Sequence, residues 1–100
     1  IETKTNLVSA IPPEPPVADF AAAPTVGTAP LTVIFQDFSE PRGKIGSWLW
    51  DFGDGGSSIE QNPTHIYNSR GRFTVTLTVS NSSGVSSETQ RNLIRVKLAR

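Results

Sequence analysis

Cysteine and methionine are both absent from these 100 residues. Without cysteine there are no disulfide staples and no thiolate metal sites. Without methionine Ile1 is not a translation start, and the chain reads as an excised piece of a longer protein whose targeting signals lie elsewhere. No apolar run approaches the roughly 18 residues that a membrane helix needs, so no membrane insertion is expected of this segment. The polar start, Ile1-Glu2-Thr3-Lys4, carries no signal-peptide pattern. Neither charge is in excess: Lys and Arg total 9, Asp and Glu total 9. A neutral chain has no long-range pull toward nucleic acid or an anionic membrane, and no nucleic-acid partner is expected. A single histidine excludes a histidine-rich metal site. Helical spacing of apolar residues is missing as well.

Behind a proline-rich leader, the rest is β chemistry. Ile11-Pro12-Pro13-Glu14-Pro15-Pro16 locks φ and removes backbone donors. We read residues 1–15 as a stiff linker and residues 16–98 as the domain, one core's worth of chain. Val17–Ala21 is a short first strand, and Pro24 and Gly27 interrupt the chain after it. Leu31–Asp37 is the second, and Leu31, Val33 and Phe35 share its inner face. Ser39-Glu40-Pro41-Arg42-Gly43 turns into a third strand over Ser47–Phe52, and Asn62–Tyr67 is a short extended segment. In Phe73–Ser80 apolar and hydroxyl residues alternate without a fault, as a half-buried antiparallel strand requires. Asn81-Ser82-Ser83-Gly84 makes a hairpin turn into a last strand that ends on Ile94 and Val96. The expected fold is all-β, an antiparallel β-sandwich of two sheets and about seven strands.

The most informative stretch is Trp50-Asp51-Phe52-Gly53-Asp54-Gly55. Trp50 and Phe52 point to one face of a strand and Asp51 to the other. Gly53, Asp54 and Gly55 then break the strand, since glycine reaches backbone angles forbidden to other residues and Asp caps turns. A large aromatic running into a tight turn is a construction device, and no catalytic residue is assigned. Asp51 and Asp54 have the residue types of a glycosidase pair, but an Asp between glycines is explained by capping alone. His65 is read as bonding a nearby carboxylate or carbonyl, since a catalytic histidine needs a nucleophile or acid in reach. Trp50 is the core tryptophan. Trp48 shares its parity and either completes the core or offers a stacking platform for sugar or protein. Asn81-Ser82-Ser83 fits a glycosylation acceptor, although the turn accounts for it.

In order along the chain, Ala29–Val33, Trp50–Gly55, Asn62-Pro63-Thr64-His65-Ile66-Tyr67, Gly71–Val79 and Asn92–Val96 resemble the PKD (polycystic kidney disease) domain family. The resemblance implies an immunoglobulin-like sandwich. It also implies an extracellular, non-catalytic module of cell-surface or secreted multidomain proteins, with Trp50, Asp51, Gly53, Asp54, Gly55, His65 and Tyr67 as its structural motif. Two departures stand out. Phe73 replaces a tyrosine common in the family, and Arg42 and Lys44 occupy the loop where some relatives, such as those of bacterial collagenases, place calcium-binding acids. No metal and no cofactor is therefore expected. The expected role is that of a monomeric spacer and weak interaction surface, with neighbouring domains, protein or polysaccharide as partners. The alternative is the accessory domain of a secreted polymer-degrading hydrolase, using exposed aromatics such as Trp48 or Tyr67.

Overall fold

The structure, a computed structural model, describes residues 15–40 and 45–98. Eight strands run in chain order: β1 (Phe20–Ala23), β2 (Val26–Thr28), β3 (Leu31–Asp37), β4 (Ser47–Asp51), β5 (Ser57–Ser58), β6 (Thr64–Tyr67), β7 (Gly71–Asn81) and β8 (Gly84–Lys97). They form a three-stranded sheet, β1-β3-β6, and a five-stranded sheet, β2-β8-β7-β4-β5. No helix among the described residues is long and apolar enough to cross a membrane.

Alternation decides which residues meet between the sheets. In β3, Leu31, Val33 and Phe35 are buried while Thr32, Ile34 and Gln36 are exposed. In β7, Val75, Leu77 and Val79 are fully buried, and the threonines between them face outward. Each such side chain contributes about 1.5–3 kcal/mol of burial, which fixes register, because a slip of one residue would expose the whole set. Trp50 pairs with Leu77 and Trp48 with Val79. Ile94 and Val96 close the core from β8.

One flank of the sandwich is tied by side chains. Gln90 Nε2 donates to Phe20 O at 2.8 Å, Ser86 Oγ accepts from Ala18 N at 3.0 Å, and buried Ser39 Oγ accepts from Asp19 N at 3.1 Å. The β7–β8 hairpin is closed by Asn81, whose Oδ1 accepts from Ser83 N and Gly84 N.

Besides the two-residue β5, which the sequence does not mark, three details differ from the sequence reading. Regular pairing in β1 starts at Phe20, and Val17 makes only an isolated bridge to Glu40. The stretch after Pro24 is a strand after all. Although Gly27 sits in its middle, Val26–Thr28 runs parallel to Arg95–Lys97 at the sheet edge, and Leu31 packs so close that a Cβ at Gly27 would collide with it. The last strand is interrupted: between Phe73 and Val75 the register shifts, and Asn92 adopts φ 52° to absorb the extra residues of β8. Residues 1–14, most of the expected linker, lie outside the described residues, while Pro16 is already buried.

Candidate functional site

β4 delivers Trp50 into the centre of the core. The indole is fully buried, edge-on to Phe20 at 5.0 Å, and its Nε1–H donates to Glu60 O at 2.8 Å. Asp51 projects to the opposite face and its Oδ1 accepts from Gly53 N at 3.0 Å. Gly53 has φ 85° and lies so close to the Thr74 backbone that a Cβ would collide with the Thr74 carbonyl. Gly55 has φ 94° with open space beside it. Asp54 joins the loop to β6. Its Oδ1 accepts from Gly56 N at 2.9 Å, and its Oδ2 lies 2.7 Å from His65 Nε2. The His65 ring stacks on Phe52 at 4.1 Å and meets the edge of Tyr67 at 4.8 Å. Gly56 leaves room for that ring, since a Cβ there would sit 2.7 Å from His65 Cε1.

Burial alone would raise the Asp54 carboxyl. The hydrogen bonds from His65 and Gly56 and the His65 charge outweigh it, so the group titrates below its ordinary 3.8. Tyr67 is pushed the other way. Burial, then the charges of Asp54 and Asp51, holds its phenol well above the ordinary range. Its hydroxyl donates to Phe52 O at 2.9 Å, and its ring stacks on Phe73 at 4.7 Å. Tyr67 is thus fully buried. This corrects its reading as an exposed aromatic for holding polymer, because the inward face of β6 points into the core.

Chemically the motif is a clamp between the β4 exit and β6. Asp54 and His65 supply two members of a nucleophilic constellation, but no hydroxyl hydrogen-bonds the His65 ring among the described residues. The Asp51 and Asp54 carboxylates are each spent on a glycine N–H two residues on. No group of three His, Asp or Glu suited to a metal ion occurs among the described residues. Arg42 and Lys44, on which the expectation about calcium rested, lie outside them.

Trp48 has another setting. Its indole is half-buried, packed partly on the core, and its Nε1–H donates to Asp37 Oδ2 at 2.9 Å. Gln61 Nε2 donates to the same oxygen at 3.1 Å, Ser39 N to Oδ1 at 2.9 Å, and Asn62 Oδ1 accepts from Asp37 N at 2.8 Å. These groups, with Gln36 and Ile45, line an open groove of about 460 Å³. Asp37 orients the indole, yet nothing in the linear spacing marks it. Only the pairing of the sheets brings it 2.9 Å from Trp48.

Residues 13–96 match the sequence profile of the PKD domain. The chain is 39% identical over 64 residues to a microbial collagenase of Vibrio alginolyticus and 54% identical over 49 residues to collagenase ColA of Bacillus cereus. These matches take in 64% and 49% of the chain but only 8% and 5% of those relatives. Among solved structures, the PKD1 domain of the Vibrio cholerae metalloprotease PrtV superposes with a TM-score of 0.68 at 38% identity, covering 82% of this chain and 96% of that one. A structure of carbohydrate-binding modules of the beta-sandwich super family with promiscuous specificity gives a TM-score of 0.76 at 30% identity, over 86% of this chain and 36% of that one. With residues 13–96 of the chain matched by the profile and the sandwich shared, the chain belongs to the PKD domain family.

Proposed function

We propose that this chain is a non-catalytic accessory module of a larger extracellular protein and holds that protein against a polymeric substrate through the Trp48 groove. The observation that carries this reading is the setting of Trp48. A half-exposed indole is fixed by Asp37 and bordered by the amides of Gln36, Gln61 and Asn62. An apolar ring face beside planar hydrogen-bonding groups suits sugar rings and extended protein alike. The resemblance to modules within collagenases, a metalloprotease and carbohydrate-binding proteins supports the accessory role. Non-catalysis is supported by carboxylates engaged as turn caps and a histidine packed between rings.

The test is retention of the chain on insoluble collagen, chitin and cellulose, with Trp48→Ala as the comparison and a melting curve to show that the variant folds. Retention on at least one polymer, reduced about tenfold or more by the substitution, is expected. Equal retention of the two proteins removes Trp48 from the binding surface. A chain that passes freely through every polymer leaves only the role of spacer.

A further inference from the structure

The opposite end of the five-stranded sheet carries charge that the clamp and the groove do not use. Arg70, Arg72, Arg95 and Lys97 line an open concavity of about 350 Å³ with Gly71 and Val96. Arg72 and Arg95 are direct partners across β7 and β8. Ile94 and Val96 point inward, so Arg95 and Lys97 point outward, and Arg72 stands beside Arg95 on the same face. All four cations are exposed, and none makes an ion pair or hydrogen bond among the described residues. Four of the five Lys and Arg side chains among the described residues thus gather at one end of a chain whose formal net charge is zero.

Like charges placed directly opposite on neighbouring strands destabilise a sheet. No carboxylate among the described residues relieves this pair, so the cluster is a standing demand for an anion from outside. Paired strands are about 4.8 Å apart and residues two along a strand about 6.6 Å. The cations therefore form a patch wider than one small anion can bridge. A guanidinium fork binds an oxyanion through two parallel hydrogen bonds.

The surroundings select among polyanions. No aromatic side chain lines the concavity, so unpaired bases find no ring to stack on. Its one apolar lining residue, Val96, is buried, so a protein partner finds no anchor for a desolvated centre. A chain of polar rings bearing acidic groups needs neither. We propose that Arg70, Arg72, Arg95 and Lys97 form a binding site for a sulfated or carboxylated polysaccharide. The site is separate from Trp48, whose partner Val79 lies seven residues along β7 from Arg72, about 23 Å at the rise of a strand.

The test is titration of the whole chain with a heparin octasaccharide at low and physiological salt. A neutral dextran oligosaccharide of similar length, inorganic sulfate and a single-stranded oligonucleotide serve as comparisons. The octasaccharide binds, and binding weakens steeply with salt because each contact is ionic. The double substitution Arg72→Gln with Arg95→Gln weakens it at least tenfold and leaves the melting temperature unchanged or higher, since it removes a repulsion. Trp48→Ala leaves it unaltered, which separates this site from the groove. If the double variant melts lower, Lys97→Gln alone supplies the comparison and weakens binding several-fold. The proposal is overturned if dextran binds as well as heparin, or if the substitutions have no effect. It is overturned equally if sulfate saturates the site at the same concentration as the octasaccharide, or if the oligonucleotide binds more tightly.

Discussion

Asp54 holds two donors at once, the Gly56 N–H and the His65 ring. Its carboxyl titrates below the ordinary value, so the charged form is favoured by the fold. The sign comes from linkage: the stabilisation is fully present above about pH 4 and is lost as the pH falls through the lowered folded value. Asp54→Ala is expected to cost about 1–3 kcal/mol near neutrality. The gap between its melting temperature and that of the parent chain should narrow as the pH falls below about 4 and through the lowered folded value. A gap that stays constant would show that the carboxylate charge plays no part. Trp50→Ala removes a fully buried ring, a loss of about 3–5 kcal/mol against a total of about 5–15 kcal/mol. The melting temperature should fall by more than about ten degrees, or the domain should not fold. The turn chemistry of this loop is readable from the residues themselves, because φ and capping are local properties. The choice of Asp54 as the partner of His65 is not, since 11 positions separate them and the pairing depends on how β6 lies beside the loop. Tyr67 misleads for the same reason: whether an aromatic at a strand end faces in or out depends on the sheet it joins.

Among elements, β3, β4 and β7 are written plainly in alternating residues, and their inner faces are the core. β2 is not. Three residues around a glycine carry no periodicity, and a parallel edge pairing with β8 is a non-local event. The interruption of β8 is half-legible. Asn is among the few residues that tolerate a left-handed conformation, yet an Asn inside a polar strand gives no sign that it will be used that way. At φ 52° Asn92 donates its N–H to Thr74 Oγ1 at 3.1 Å, and the bulge lets Ile94 and Val96 return to the core. A β-branched side chain at that angle is strained by about 1–2 kcal/mol. Asn92→Val should therefore lower the melting temperature, while Asn92→Gly should leave it equal or higher. The opposite order would mean that the bulge relaxes away when Asn is replaced. Arg72 and Arg95 show the same limit in another form. Far apart in the chain, they become neighbours only through the register of β7 and β8.

For the molecule as a whole, the boundary of the cooperative unit is a testable quantity. Pro16 and Ala18 are buried, and the proline-rich sequence of residues 1–14, without apolar alternation, predicts that they add little to the core. Deletion of residues 1–14 should change unfolding free energy by less than about 1 kcal/mol in a denaturant titration, the scale of losing one real interaction. A larger loss would place the leader inside the folded unit. Finally, the two indoles stand two residues apart on one strand in unlike solvents: Trp50 is sealed from water, and Trp48 borders an open groove. The chain thereby carries two optical probes. A small polar quencher in the solvent should extinguish the emission of Trp48 and spare that of Trp50 until the sandwich opens. A polymer lying over the groove should shield the first and leave the second untouched. Occupancy of one face and integrity of the whole can thus be followed separately in a single cuvette, without a label.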